Sequence, residues 1–427
     1  MFDAPLDRRQ VFRGLGAAAA LAPLPAFART APRTIDRAKV QAALDAYVKP
    51  GRIPGAAGAF ARGTDAPTFV TAGTLAFDSR TPVTPDTLFR VYSMTKPITG
   101  IAAMLLIEDG KLGLDQNIAD FVPGFRNPRV LVDPNKDLTS RPAARPITVR
   151  NLLTHTAGLG YAIVTKGPLL AEYIRLGLTP ASASRMRLPN VPLSVTAPSL
   201  KEFADRLATL PLIADPGTRW SYSVGLDLMG RVIEVASGQP FDRFLQDRIF
   251  APLGMRSTFF QVPRAELGRL MTNYGMLGQL RLPIDSGTDS VFADKPAFPF
   301  GGAGLVSSPR DYDRFLQMLA GRGAIGRTRI MKDTTARLAM SNLLPPGADT
   351  KGTFADGQGF GAGGRVTVTK SDRLGAGIGT FGWGGAAATI AWVDPTNNVR
   401  GSGYAQYMPD TAMPFTTDFG RAVYAAL

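Results

Sequence analysis

The strand-like segments of this chain lie at its two ends, and the helix-like segments lie between them. Near the N-terminus two short apolar runs, 55–61 and 68–75, flank a turn at Gly63 and read as a hairpin. Near the C-terminus four Gly-rich runs, 364–369, 375–381, 387–393 and 399–405, alternate with turns. A lone hairpin is marginal in water, so the N-terminal pair needs the C-terminal strands beside it. The chain is therefore expected to form one sheet from both ends, with a helical region inserted between. Helices are expected over 34–48, 93–108, 148–154, 224–236, 241–250 and 415–426. A capping box at Ser199–Glu202 starts another, and Ser308-Pro309 opens one that ends near Gly321. Two Pro-containing stretches, 123–146 and 160–198, are long for ordinary connections and are expected to shape the entrance to a site.

Composition removes several kinds of chemistry. The 427 residues include no Cys and one His. Disulfides, cysteine nucleophiles, thiolate metal sites and multi-histidine metal sites are excluded. The net charge of +14 comes from 48 basic and 34 acidic residues. The basic residues are dispersed and make no stripe that could track phosphates, so no nucleic-acid partner is expected. Residues 1–28 carry a twin-arginine pair at Arg8-Arg9, an apolar Ala-rich run, and an A-x-A pattern at Ala26-Phe27-Ala28. This order reads as an export signal and implies a periplasmic protein. No other run approaches the 18 or so apolar residues that cross a bilayer, so no stable membrane insertion is expected.

The remaining chemistry must come from Ser, Lys, Tyr, carboxylates or backbone. No G-x-S-x-G is present, so a nucleophile elbow is missing. A Ser-His-Asp triad could use only His155, which reads better as a buried structural residue. Ser93-Met94-Thr95-Lys96 is the sole S-x-x-K. Composition alone would produce roughly half a match, so its context matters. It opens a helix with the apolar segment 98–107 behind it. Residues i and i+3 share a helix face, which sets the Ser93 hydroxyl beside the Lys96 amine. Downstream, a Pro216-Gly217 turn delivers Trp220 and Tyr222, and a Tyr hydroxyl near a Lys can relay protons. Further on, Trp383-Gly384-Gly385-Ala386 lies on a strand candidate whose glycines would admit a close-lying substrate. Tyr222 and the glycines also have ordinary explanations in loop and sheet packing.

Together, Ser93–Lys96, Tyr222-Ser223-Val224 and Trp383-Gly384-Gly385 resemble the serine β-lactamase/penicillin-binding-protein superfamily. The chain is most similar to its class C-like family VIII carboxylesterases. Segments 152–159, 216–222, 302–308 and 381–389 also resemble that family, over roughly residues 35–427. The resemblance implies an α/β fold: an antiparallel sheet flanked by N- and C-terminal helices, plus an inserted α-helical lobe. The expected division is 29–92 with 301–427 for the α/β lobe and 93–300 for the helical lobe. Ser93 would be the acylated nucleophile, with Lys96 and Tyr222 as base and proton relay. The N–H groups of Ser93 and Ala386 would form the oxyanion hole. Trp383, Gly384, Gly385, Tyr92 and Val224 would line the substrate site, and no cofactor is implied. Trp383 stands where the superfamily usually has a Lys, and Val224 where it often has Asn. Both changes remove polar recognition of an anionic amide and favour a small neutral ester. The alternatives are a β-lactamase or D-amino-acid amidase or peptidase on the same scaffold, and a non-catalytic periplasmic binding module.

Overall fold

The computed structural model describes residues 35–179, 183–186, 196–278, 280–370 and 375–427. The expected export signal lies outside them, as does part of the 160–198 stretch.

Both ends of the chain do enter one sheet. Its strands are β1 (Gly55–Arg62), β2 (Thr68–Gly73), β3 (Gly359–Phe360), β4 (Arg365–Val366), β5 (Phe381–Gly385), β6 (Thr389–Asp394) and β7 (Val399–Tyr404). The order is β3-β4-β5-β6-β7-β1-β2, antiparallel at every step. The N-terminal hairpin is thus completed by β7, whose Gly403 pairs with Gly58.

Helices cover both faces of the sheet. Helix α1 (Arg37–Val48), capped by the Asp36 carboxylate, and α5 (Phe415–Ala425) share one core with Ala56, Phe60 and Trp392. On the other face, Ala57 joins the larger core containing α2 (Thr95–Glu108), α3 (Gly225–Ser237) and α4 (Pro309–Ala320). Double coverage explains why β1 reads as a continuous small-residue run without polar alternation: residues of both parities are buried. Glycine is required at the Gly58–Gly403 pair, where the Phe419 ring rests on the strands. A Cβ at Gly58 would lie 2.4 Å from that ring, and one at Gly403 2.6 Å. Gly58→Val is therefore expected to cost about 2–3 kcal/mol by overpacking, read as a lower urea midpoint with unchanged slope.

Several expectations need correction. The run 375–381 is not a strand. Gly375 and Gly379 hold φ of 79° and 84°, and pairing begins only at Phe381. The Asp394 carboxylate organises this turn by accepting the Gly377 and Asn397 N–H groups at 2.8 and 2.9 Å. The run 364–369 pairs only over two residues. The helix expected from Ser93 starts at Thr95, after a 3-10 turn over Tyr92–Met94. At Ser199 the N-cap forms, but the Glu202 carboxylate turns to Arg206 at 2.7 Å. Within 160–198 lies an unexpected helix, Gly167–Arg175, with Pro168 in its first turn. A hairpin of Asn273–Leu277 and Leu280–Asp285, joined by Tyr407–Met408, was also not anticipated. Pro283 inside it obscures the strand pattern.

Candidate active site

Helix α2 is the axis of the site. Thr95 through Leu106 are all buried, so this helix is apolar on every side except where Thr95, Lys96 and Thr99 meet the Gly-rich loop 301–305. The Thr99 hydroxyl donates to the Gly301 carbonyl at 2.7 Å, and the Leu305 N–H donates to Thr95 Oγ1 at 3.1 Å. Between these two ties, Lys96 Nζ donates to the Gly302 carbonyl at 2.7 Å.

Ser93 sits on the turn just before α2, half-buried. Its Oγ lies 3.1 Å from Lys96 Nζ and 2.7 Å from the Tyr222 hydroxyl. The turn is held in an uncommon conformation: Tyr92, immediately before Ser93, has φ 41°. Two features hold it there. The Tyr92 ring packs edge-on against Phe292, with centroids 6.0 Å apart. Arg90 is wholly buried and donates to Asp285 at 2.6 Å, to Ser290 Oγ at 3.1 Å and to the Met271 carbonyl at 2.5 Å. A buried guanidinium is tolerable only when its donors are so satisfied. Arg90 therefore locks the strand leading to Ser93 onto the 273–285 hairpin.

Lys96 is fully buried. Its Nζ faces the Tyr222 ring at 4.5 Å and the Tyr161 ring at 5.4 Å. Among the described residues no carboxylate lies within 4 Å of it. A buried acid that interacts with it electrostatically is Asp227, on the first turn of α3 and 3% exposed. Its Oδ1 accepts the Gly302 N–H at 2.8 Å. Burial pushes this carboxyl up to about 6, against a smaller downward pull from Lys96. The folded chain thus keeps a proton that the unfolded chain has lost between about pH 4 and 6. Stability is full below that window and falls as pH rises through it, by about 3 kcal/mol in all. Asp227→Asn lacks this loss. Its stability relative to wild type is expected to rise by roughly 2–3 kcal/mol from pH 4 to pH 7, measured as urea midpoints.

Tyr222 is held by an aromatic shell. Tyr161, His155, Phe354 and Trp383 lie within 5.0–5.8 Å of its ring. Trp383 Nε1 approaches the Tyr222 oxygen at 3.4 Å. His155 is buried, accepts the Ser223 N–H at 3.2 Å, and is pushed well below the usual histidine range by burial and by Lys96. It is a neutral buttress for the tyrosine segment, as the sequence suggested.

Strand β5 passes close to the Ser93 turn. A Cβ at Gly385 would lie 2.3 Å from the Val91 carbonyl oxygen, so only glycine allows this approach. It sets Ala386 against the cluster containing Tyr92. Gly384 and Trp383 are half-buried. Tyr92 and Val224, expected to line the substrate site, are 5% and 1% exposed and pack within the hydrophobic core.

A cavity of about 700 Å³ opens beside Tyr222. Pro134 and Asn135 from one expected entrance loop line it, as do Val164, Thr165, Lys166 and Leu169 from the other. Phe354 closes a third side, from a segment whose sequence carried no signal. Tyr161, Asp227 and Phe354 were missed, and Gly302 was noted only within the segment 302–308, with no role. Asp227 left one readable trace: an acid on the otherwise apolar first turn of a helix that follows Tyr222.

The fold and these contacts place the chain in a known group. The beta-lactamase family profile matches residues 40–424, and the chain belongs to that family. It is 30% identical to the esterase EstB of Burkholderia gladioli over 84% of this chain and 87% of that one. A lovastatin esterase of Penicillium rubens is 31% identical over 78% and 83%. The solved structure of EstCE1, described as a hydrolase with promiscuous acyltransferase activity, superposes with a TM-score of 0.73 at 27% identity, covering 91% and 98%. The protein is thus an esterase-like serine hydrolase on the β-lactamase fold.

Proposed function

We propose that the protein is a carboxylesterase that cleaves small neutral esters through an acyl-enzyme on Ser93. The observation that carries this reading is the convergence on Ser93 Oγ of a fully buried lysine amine at 3.1 Å and a tyrosine hydroxyl at 2.7 Å. Serine is a weak nucleophile until a base stands within such reach. Ser93 Oγ attacks the ester carbonyl carbon while its proton passes to the Lys96–Tyr222 pair. The oxyanion is met by the Ser93 and Ala386 N–H groups. The C–O bond to the alcohol breaks as the same pair returns the proton to the leaving oxygen. Water then attacks the acyl-serine by the reverse path, releasing acid and free Ser93.

Substrate preference follows from what surrounds the nucleophile. Trp383 presents an indole where the superfamily's usual cation would hold an anionic amide. The names of EstB and the Penicillium lovastatin esterase support an ester as substrate. The Arg8-Arg9 signal supports work in the periplasm. The test sets p-nitrophenyl acetate, butyrate and octanoate against a chromogenic cephalosporin. We expect kcat/KM for the best ester to exceed that for the cephalosporin by at least about 100-fold, close to 3 kcal/mol of discrimination. The opposite order would promote the lactamase reading. A second reading, acyl transfer to an alcohol, is favoured by the description of EstCE1. A transfer product that competes with free acid when alcohol is added to the assay would establish it.

A further inference from the structure

We propose that Asp227 is a positioning residue of the Ser93–Lys96 pair, acting through Gly302. The inference rests on the reading of Ser93 and Lys96 given above. The connection is continuous. Asp227 Oδ1 accepts the Gly302 N–H at 2.8 Å, the Gly302 carbonyl accepts from Lys96 Nζ at 2.7 Å, and Nζ lies 3.1 Å from Ser93 Oγ. Gly302 is clamped between the carboxylate and the amine. A Cβ there would lie 2.6 Å from Asp227 Oδ2, so the acid rests directly on the bare Cα. Thr99 and Thr95 tie the two ends of the loop to α2. Asp227 grips its middle from α3, the helix that also follows Tyr222.

A carboxylate is an expensive way to hold one N–H. A serine or asparagine oxygen would accept it without burying a charge. The charge has a use here, because acylation moves a proton onto the Lys96–Tyr222 pair. A buried anion one residue away favours the ammonium that forms, in a place where, among the described residues, no carboxylate lies within 4 Å of it. The titratable groups facing Asp227 are Lys96 from α2 and the Tyr161 phenol. Tyr222 flanks Lys96, and the neutral His155 packs on Tyr222. Loss of the Asp227 charge as pH falls should therefore appear as an acid limb in the activity profile near pH 6.

The experiment compares wild type with Asp227→Asn, which keeps an acceptor for Gly302 but drops the charge, and with Asp227→Ala, which drops both. It reads kcat and KM on p-nitrophenyl butyrate from pH 4.5 to 9, the labelling rate of Ser93 by a fluorophosphonate probe, and the melting temperature at pH 7. For Asp227→Asn we expect kcat and labelling to fall about tenfold or more above pH 7, with KM changed less than threefold. The two proteins should converge below pH 5, and melting should be no lower than wild type. Asp227→Ala should fall further. Wild-type kcat, labelling and acid limb in Asp227→Asn would overturn the proposal. So would activity losses that simply follow lowered melting, since those mark a structural role. If wild type turns over no ester yet Ser93 is labelled, the esterase reading fails and the labelling rates still decide the role of Asp227. If Ser93 is not labelled in wild type, both readings fail.

Discussion

Ser93→Ala is expected to lower kcat/KM for p-nitrophenyl butyrate by at least about 10⁴-fold, and to abolish fluorophosphonate labelling. Removing the nucleophile of a covalent mechanism eliminates the acyl-enzyme path, and only transition-state binding by the remaining groups survives. The fold should tolerate the change. Ser93 is half-buried on a turn, and its loss leaves the Lys96–Gly302 bond and the Tyr222 ring packing in place. Melting within a few degrees of wild type would show that the loss is chemical. Full esterase activity in purified Ser93→Ala would refute the assignment. An inert, unlabelled wild type that still binds ligands would point instead to a binding module.

Lys96→Met should be nearly as severe, with kcat reduced about 10³-fold or more. The thioether matches the lysine stem but can neither accept nor return a proton. Labelling of Ser93 should slow by a similar factor without disappearing, because the hydroxyl remains. Stability gives an independent reading. The substitution leaves the Gly302 carbonyl without its donor, which costs about 1–3 kcal/mol. It also removes a buried amine that no carboxylate among the described residues touches, which is favourable by a comparable amount. A net change within about 2 kcal/mol is expected. Lys96→Arg should not rescue activity, since a guanidinium is larger, planar and always charged. Wild-type kcat in Lys96→Met would remove the lysine from the mechanism and leave Tyr222 as the base.

The Ser93–Lys96 relation was legible because it is local. Residues three apart on a helical turn are neighbours whatever the rest of the chain does. That held even though the regular helix starts two residues later than the pattern implied. Tyr222 was singled out by its Pro-Gly turn, but its pairing with Ser93 was legible only by resemblance, since nothing in Pro216–Tyr222 reveals that its hydroxyl ends 2.7 Å from a serine 129 positions away. The sheet was legible in outline because β1 and β2 could not stand alone. Its false strand at 375–381 arose because Gly-rich turns and Gly-rich strands look alike, until positive φ separates them.

By itself the chain's sequence determined the pairing of Ser93 with Lys96, the closing of both ends into one sheet, and the absence of cysteine and multi-histidine chemistry. Each follows from spacing of a few residues or from composition. Only the tertiary structure decided what encloses Lys96: the Gly302 carbonyl 206 positions away, the rings of Tyr161 and Tyr222, and Asp227 behind them. Only the structure turned Tyr92 and Val224 into the core. The physical reason is that a helix sets its own i to i+3 distances, whereas approach between distant segments depends on how whole faces pack. A missing Cβ at Gly302 or Gly385 shows its purpose only when the partner it admits is in place.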